Sequence, residues 1–471
     1  MKRDKVVMKR DKVVMKSVEA GVKSPEAGIK SKMKHNIINK LKLKKMSTSK
    51  EQGFDTLKIH AGYKPSEHQG SIQVPIYQTT AFEVGSPERA ERLLRFEEFG
   101  LLYTRIGNPT QAALEQRIAA LDGGAAAVAV ASGMAAVSYA ILNAGENGRV
   151  IAAGQIYGGT YDAYRKLYPS LGVKIDIVDD INDLDAVRKL IQPDTRAIFV
   201  ESINNPVNVI ADIEAIAGLA HENGLPLIVD NTLATPYLWN PIRNGADVVV
   251  YSATKALSGH GSIIGGIIVD AGKFNWLAGR HPHFEKKVLT LGDKTVVEVF
   301  PDFPFTARAR SYYLNLLGAA LSPFDAYLIL QGVETLSERL KKQSESAQAI
   351  AEYLSKHPKV AWVSYPTLPG SKYGALAEKY LPKGAGGVFS FGFKGTQEEI
   401  YRFLNAVKVF SYHANLGDAR SLIINSPKTT HHELTEDEKL RTGVPPETIR
   451  LSVGLEDVND LIADLEQAFN G

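Results

Sequence analysis

One lysine lies among small residues directly after an apolar run. Residues 248–250 are three valines, the pattern of a buried strand, and Lys255 follows within SATKALSGHG (252–261). An amine at such a strand end could form a Schiff base with an aldehyde, and its small neighbours would leave room for the partner molecule. A lone lysine is more often a solvated side chain, so the residues around it decide.

A carboxylate and a helix start follow two other apolar runs. LIVDNT (227–232) contains Asp230 at the end of a run, where a buried carboxylate is costly unless it meets a cation or hydrogen-bond donors. VAVASGMAAV (128–137) reads as a strand, a Ser-Gly turn and the start of a helix. The backbone amides of Gly133 and Met134 at such a start could bind a phosphate, aided by the helix dipole.

Hydroxyl and aromatic residues complete the group. Ser252 and Thr254 add donors beside Lys255, and Tyr157, in QIYGGTYD (155–162), follows a further apolar run. Pyridoxal 5′-phosphate (PLP) requires a lysine for its Schiff base, an acid at its ring nitrogen, a phosphate cradle and an aromatic ring for stacking. Each residue alone has an ordinary structural explanation, but their order and shared location predict a PLP site.

Strand-like and helix-like segments alternate through the middle of the chain, which predicts an α/β fold with a mostly parallel sheet covered by helices. The strand-like segments are residues 125–131, 150–152, 175–178, 197–200, 226–229, 248–251 and 265–269. The helix-like segments among them are 110–121, 183–191 and 213–222. Ligands of such sheets bind beyond the carboxyl ends of the strands, which is where the residues above lie.

A smaller α+β unit is expected in the last third of the chain. Two long helices are predicted over 323–340 and 344–354, followed by strands over 360–365, 387–392 and 449–453. The expected organisation is a disordered basic tail over 1–50, an N-terminal arm over 51–103, a PLP-binding α/β domain over 104–310 and a C-terminal α+β domain over 311–471.

The tail differs from the rest of the chain in charge. The first 50 residues hold 14 lysines and two arginines against two aspartates and two glutamates, a charge of +12, so the net charge of +3 leaves −9 for the remainder. Glycine and proline interrupt its heptad repeats, which predicts disorder rather than a coiled coil. The tail is either upstream sequence before a start at Met46 or a basic arm for nucleic acid or an anionic surface. The acidic remainder disfavours the second interpretation.

Composition excludes several kinds of site. The chain has no cysteine, which excludes disulfides, zinc–thiolate sites and thiol nucleophiles and suits a reducing compartment, so a cytoplasmic location is expected. The uncharged segment 123–145 is rich in alanine and glycine, which favours a strand and a helix over a membrane span. His431 and His432 are adjacent and point to different sides, so no metal site is expected.

Several long motifs in order resemble the Cys/Met-metabolism branch of the fold-type I PLP enzymes, and within it the O-acetylhomoserine sulfhydrylases. The resemblance runs from FDTLKIHAGY (54–63) to the C-terminus. Its other motifs are PIYQTTAF (75–82), YTRIGNPT (103–110), ASGMAA (131–136), ESINNP (201–206), VDNT (229–232), SATKALSGHG (252–261) and ETIRLSVGLED (447–457). The resemblance implies a fold-type I transferase with PLP bound at Lys255.

The resemblance also implies roles for residues far from the lysine. Tyr103 and Arg105 would reach the phosphate of the neighbouring subunit, so the N-terminal arm would contribute to its active site and a homotetramer, a dimer of dimers, is expected. Asn205 would lie near the phenolic oxygen of PLP. Arg450 would bind the α-carboxylate of the substrate, a task suited to a guanidinium, and Asn415 would also contact the substrate.

The implied reaction is a γ-replacement. O-acetyl-L-homoserine and sulfide, or methanethiol, would give L-homocysteine, or methionine, and acetate. Lys255 would carry protons, and Tyr157 would stack on the cofactor or act as an acid/base. The alternatives are cystathionine γ-synthase or γ-lyase, O-succinylhomoserine sulfhydrylase, and a non-catalytic protein of the same fold. The intact Lys255 and Asp230 disfavour the non-catalytic alternative.

Subfamily features favour the sulfhydrylases. Gly159 stands where methionine γ-lyases carry a cysteine, and Asn415 stands where cystathionine γ-synthases and γ-lyases carry a serine. The extension 274–293 is also absent from those shorter enzymes. Met134 departs from this pattern, since methionine there is typical of the synthase and lyase branch.

Overall fold

The structure, a computed structural model, describes residues 52–432 and 434–471. The expected disorder of residues 1–50 lies outside the described part of the chain. Among the described residues, no helix is long and apolar enough to cross a membrane. The uncharged segment 123–145 forms a buried strand and a helix instead.

A seven-stranded sheet forms the larger part of the fold. Its strands are β1 (Ala126–Val130), β2 (Arg149–Ala153), β3 (Lys174–Val178), β4 (Thr195–Glu201), β5 (Leu227–Asp230), β6 (Val248–Ser252) and β7 (Gly266–Asp270). The order across the sheet is β1-β7-β6-β5-β4-β2-β3. Strands β2 to β6 pair in parallel, and β7 runs antiparallel between β1 and β6. The mostly parallel α/β fold predicted from the sequence is confirmed.

Helices cover this sheet and fill its connections. They are α1 (Phe54–His60), α2 (Pro87–Leu94), α3 (Pro109–Asp122), α4 (Gly133–Gly145), α5 (Gly158–Lys166), α6 (Leu184–Leu190), α7 (Ile213–Glu222), α8 (Thr235–Leu238), α9 (Val296–Val299), α10 (Pro304–Arg308) and α11 (Asn315–Leu317). The central strands are mostly apolar on both sides because both faces of the sheet are covered, and Val248, Val249 and Val250 have no exposed surface.

A five-stranded sheet forms the smaller part. Its strands are β8 (Val360–Ser364), β9 (Val388–Phe393), β10 (Ser411–Tyr412), β11 (Leu422–Asn425) and β12 (Thr448–Ser452), in the order β10-β11-β12-β9-β8. The pairing is antiparallel except between β10 and β11. The accompanying helices are α12 (Pro323–Glu334), α13 (Leu336–Leu354), α14 (Gly374–Tyr380), α15 (Gln397–Ala406), α16 (Glu436–Arg441) and α17 (Val458–Asn470).

The long helices divide at a different place from the one predicted. The sequence predicted helices over 323–340 and 344–354, but the break lies at Thr335 and α13 continues to Leu354. Gln343, in the expected gap, and Ser344, directly after it, lie within α13 and contact other elements. Gln343 donates to the backbone oxygen of Asp418 at 2.9 Å, and the Ser344 hydroxyl accepts from Gly386 N at 3.1 Å.

Candidate active site

The carboxyl ends of three neighbouring parallel strands meet at one edge of the large sheet. Glu201, Asp230 and Ser252 are the last residues of β4, β5 and β6. Glu201 is paired in register with Asp230, and Asp230 with Val250 of the next strand. The sheet edge therefore collects two carboxylates and a hydroxyl in adjacent positions, as expected for ligand sites of parallel sheets.

Lys255 lies in the turn that follows β6. Its backbone N–H donates to Ser252 O at 3.1 Å, and Gly259 N donates to the carbonyl of Lys255 at 2.8 Å. The Nζ atom donates to Oδ1 of Asn415 at 2.7 Å. Partial burial, with a smaller effect from the positive charge of Arg450, lowers the pKa of the Lys255 amine to about 8. A larger fraction of this amine is therefore neutral near physiological pH than for a solvated lysine.

The start of α4 lies against the end of β6. Ser132 caps the helix by accepting a hydrogen bond from Ala135 N, and Gly133 is the first helical residue. A Cβ atom on Gly133 would lie 2.5 Å from Cβ of Ser252, so only glycine permits this approach. The helix N-terminus and the Ser252 hydroxyl therefore share one cradle, which has the chemistry of a phosphate site.

The other two phosphate candidates flank this cradle. Met134, the second residue of α4, is half-buried, and its Sδ accepts from the Thr160 hydroxyl at 3.7 Å. The hydroxyl of Thr254 accepts from Gly265 N at 3.0 Å and lies 3.2 Å from Gly265 O. Thr254 thus ties together the two ends of the β6–β7 connection that carries Lys255.

Tyr157 stands at the start of α5, after β2. Its side chain remains exposed, and its backbone N–H donates to Oε1 of Glu201 at 2.8 Å. The ring lies directly over Gly159, because a Cβ atom there would be 2.7 Å from Cε1 of Tyr157. Gly159 thus leaves room for the observed position of the aromatic ring.

Residues of the small sheet approach Lys255 from the other side. Arg450, in the middle of β12, donates from Nη1 to Oδ1 of Asn205 at 3.1 Å and from Nη2 to the backbone oxygen of Asn415 at 2.9 Å. Burial lowers the pKa of Arg450 to about 10. No carboxylate of the described residues forms a salt bridge with this guanidinium, so it suits an anionic group of a ligand.

The two carboxylates at the sheet edge influence each other. Burial raises the pKa of Asp230, although hydrogen bonds with Thr232 oppose this effect. Burial and the nearby charge of Asp230 raise the pKa of Glu201. Two buried carboxylates side by side suit a cationic ligand, since a positive charge would stabilise their ionised forms.

Tyr103 and Arg105 are not brought into this cluster within one chain. They line a separate pocket of about 400 Å³ together with Gln78, Thr79, Thr80, Thr104, Gly318, Ala320 and Pro323. The Arg105 guanidinium stacks 5.0 Å from the centre of the Tyr103 ring. The ring of Tyr103 is partly exposed.

Sequence reasoning missed one residue of the site. Glu201 opens the ESINNP motif, but no role was predicted for it. Its signal was the one used for Asp230, a carboxylate at the end of a buried strand. It was available in the sequence of β4.

Comparison with known proteins agrees with this geometry. A family model described as "Cys/Met metabolism PLP-dependent enzyme" matches residues 55–470. The chain belongs to this family. Its cofactor is therefore PLP, and the amine, paired carboxylates, helix start and aromatic ring of this family member fit that molecule.

Similar proteins have related names. The chain is 44% identical over 424 residues to an O-acetyl-L-homoserine sulfhydrylase of Leptospira meyeri, which covers 88% of this chain and 96% of that protein. It is 43% identical over 423 residues to a homocysteine synthase of Schizosaccharomyces pombe, covering 88% and 97%.

A solved structure is also similar. It is that of a Campylobacter jejuni protein described as an O-acetylhomoserine (thiol)-lyase, with a TM-score of 0.86, 40% identity and coverage of 89% of this chain and 100% of that chain. That crystal structure holds N′-pyridoxyl-lysine-5′-monophosphate. The fold-type I architecture predicted from the sequence is confirmed by this likeness.

Proposed function

We propose that the protein catalyses γ-replacement on O-acetyl-L-homoserine with sulfide or methanethiol. The Cγ–O bond of the substrate breaks, acetate leaves, and a Cγ–S bond forms to give L-homocysteine or methionine. The observation that carries this proposal is that Lys255 and Arg450 both donate hydrogen bonds to Asn415. This places an amine near an arginine that has no carboxylate partner among the described residues and could bind the carboxylate of an amino acid. The names of the similar proteins support O-acetylhomoserine as the donor.

PLP would be held by residues at the edge of the large sheet. Lys255 would form the covalent link, Asp230 would face the ring nitrogen, and Tyr157 would stack on the ring. The phosphate would be bound by the amides of Gly133 and Met134 and by Ser252 and Thr254, and Asn205 would lie near the phenolic oxygen. When bound, PLP withdraws electrons from the amino-acid substrate and so makes its Cα and Cβ protons acidic.

The protein side chains then move protons and hold the substrate. Lys255 would take the Cα proton and return protons along the substrate, a role favoured by a pKa of about 8. Asn415 would orient the amine through its Oδ1 atom. Arg450 would bind the α-carboxylate through donors that Asn205 and Asn415 already align.

Tyr157 is proposed to cover the cofactor ring and to serve as an acid or base, and its side chain is accessible from solvent. Its ring lies over Gly159, a position that cysteine occupies in methionine γ-lyases. Gly159 thus disfavours a methionine γ-lyase, and Asn415 favours the sulfhydrylase over cystathionine γ-synthase or γ-lyase. The preference for an acetyl over a succinyl donor rests on the names of the relatives.

The active site is proposed to be completed by a second subunit. Tyr103 and Arg105 line a pocket apart from Lys255, and several apolar side chains near this pocket are exposed, among them Leu316, Leu317 and Phe324. This arrangement supports an N-terminal arm over 51–103 that reaches a neighbouring site in a homotetramer. The domain division at 310 is proposed separately, because the strands of the large sheet end with β7 and those of the small sheet begin with β8. A cytoplasmic location is proposed from the absence of cysteine.

The test is homocysteine formation from O-acetylhomoserine and sulfide, measured beside O-succinylhomoserine and cystathionine while the visible spectrum is recorded. Sulfide-dependent turnover that is specific for the acetyl donor, with a visible PLP band, is expected. Release of 2-oxobutyrate without a nucleophile, or preference for cystathionine, would move the protein to the lyases. A protein that stays colourless with added PLP would contradict the whole proposal.

A further inference from the structure

One buried carboxylate holds two separate loops of the active site. Glu201 is the last residue of β4 and is 9% exposed. Its Oε1 accepts from Tyr157 N at 2.8 Å, and its Oε2 accepts from Asn205 N at 3.1 Å. Tyr157 follows β2, whereas Asn205 follows β4 itself, so this side chain joins the ends of two neighbouring strands.

Both residues held in this way face the reaction. Tyr157 directly precedes α5, and its ring lies over Gly159. The bond from its backbone N–H to Glu201 therefore holds the turn from which the ring projects. The side chain of Asn205 accepts from Nη1 of Arg450 at 3.1 Å. A shift of the Asn205 backbone would therefore move the acceptor that aligns the guanidinium.

We propose that Glu201 is a positioning residue, which sets the Tyr157 ring and, through Asn205, the Arg450 guanidinium. The proposal rests on the function proposed above, because that function gives Tyr157 and Arg450 their roles. Glu201 itself need not contact substrate or cofactor, since both of its oxygens are occupied by backbone donors.

A carboxylate suits this task better than an amide does. Two backbone N–H groups need two acceptors, and an ionised carboxylate provides one on each oxygen. The bonds from Tyr157 and Asn205 favour this ionised form and oppose the rise in the pKa of Glu201 that burial and Asp230 cause. In Glu201→Gln one acceptor would be replaced by an NH₂ group that faces a donor, so one of the two backbone bonds must be lost. The variant keeps the size of the side chain, which separates this effect from a cavity.

The chain offers a matched control at a distant position. Asp270, at the end of β7, is 2% exposed and accepts from the backbone N–H groups of Gly272, Phe305 and Thr306. It pairs in register with Val248 at the opposite end of β6 from Ser252. Asp270→Asn thus loses a similar kind of bond without touching the site.

The test compares both variants with the native protein, purified in buffer containing PLP. Hydrogen–deuterium exchange of the peptides containing Tyr157 and Asn205 is expected to accelerate by about tenfold or more in Glu201→Gln and to remain unchanged in Asp270→Asn. The KM for O-acetylhomoserine should rise by about tenfold, and the visible circular dichroism of bound PLP should change, in Glu201→Gln alone.

Two results would overturn the proposal. The first is exchange at Tyr157 and Asn205 within about twofold of the native rate. The second is a Glu201→Gln variant that loses thermal stability as Asp270→Asn does, with native KM and native circular dichroism. Hydrogen–deuterium exchange does not require turnover, so a protein without sulfhydrylase activity still shows whether Glu201 holds the backbone N–H groups of Tyr157 and Asn205. If Glu201→Gln does not fold, the same exchange measurement is made on Glu201→Asp, which keeps the charge but is one methylene shorter.

Discussion

The Nζ atom of Lys255 donates to Oδ1 of Asn415 at 2.7 Å, a hydrogen bond between the parts of the chain that form the two sheets. Lys255 follows the last parallel strand of the large sheet, and Asn415 precedes β11 of the small one. The backbone of Asn415 also accepts from Arg450. Amine and guanidinium are therefore positioned by the same residue.

Replacement of Lys255 should abolish the covalent link to PLP and reduce turnover by at least about 10³-fold, since Lys255 is the proposed attachment point and base. Lys255→Arg keeps the charge without the reactive amine. Borohydride reduction followed by peptide mass spectrometry should find the pyridoxyl group on the native peptide containing residue 255. Labelling of a different lysine would contradict the assignment.

The rate at which cofactor-free protein takes up PLP should depend on pH through Lys255. Its pKa is lowered to about 8 from 10.5, so the neutral amine becomes the major form above about pH 8. The uptake rate should rise with pH, and the midpoint of this rise should lie near pH 8. Because the charge of Arg450 contributes to the lowering, Arg450→Gln should move the midpoint upward. A midpoint that does not move would show that the two charges do not interact.

Arg450→Lys should raise the KM for O-acetylhomoserine by about tenfold to a hundredfold, because an ammonium cannot reproduce the forked contact of a guanidinium with a carboxylate. Sulfide lacks a carboxylate, so its KM is the internal control and should stay within about twofold. Steady-state kinetics with each substrate varied in turn measures both values. Equal increases in the two KM values would argue against carboxylate binding.

Gly159→Cys should displace the Tyr157 ring, since a Cβ atom at position 159 would lie 2.7 Å from Cε1 of that ring. We expect kcat/KM to fall by about tenfold and the visible circular dichroism of PLP to change. Gly218→Ala in α7 is the control, because an added Cβ there meets nothing within 4 Å. An active Gly159→Cys variant with a native spectrum would show that the ring can move at little cost.

Two buried histidines should make the fold sensitive to acid. Burial lowers the pKa of His281 to about 4 and that of His283 to about 3, from an ordinary value of 6.5. Below pH 6.5 the unfolded chain therefore binds more protons than the folded one. The unfolding free energy should fall as the pH drops toward 4, by up to about 1.4 kcal/mol per pH unit for each histidine.

Urea unfolding at pH 7 and pH 5 measures this fall. The double variant His281→Gln and His283→Gln should lose less stability between the two pH values than the native protein does. His221→Gln is the control, because a hydrogen bond with Asp247 raises the pKa of His221 instead. Equal losses in the native protein and the double variant would assign the acid sensitivity to other groups.

The part of the site carried by the large sheet was predictable from the sequence. Asp230, Ser252 and Lys255 follow apolar runs, and parallel strands bring the ends of such runs together at one edge. Glu201 met the same criterion and was overlooked. The break between the two long helices was predicted at 341–343 but lies at Thr335, and Gln343 and Ser344 are buried within α13, where they contact other elements.

The part carried by the small sheet was not predictable from spacing. Asn415 and Arg450 are 160 and 195 residues beyond Lys255, and nothing local marks either as facing an amine. Their positions depend on how the two sheets pack, which periodicity does not encode. Only the family resemblance pointed to them. Tyr103 and Arg105 were likewise assigned by resemblance, and their proposed partner is a second chain.

The antiparallel direction of β7 has a consequence for how the lysine is carried. After β4 the chain leaves the sheet edge at Glu201 and crosses through α7 before it enters β5 at the other edge of the sheet. After β6 the chain returns to the sheet at the edge it left, and the Thr254–Gly265 hydrogen bonds close the connection at its base. Lys255 thus lies in a loop that the sheet anchors at both ends, so the position of Lys255 does not depend on a crossover helix.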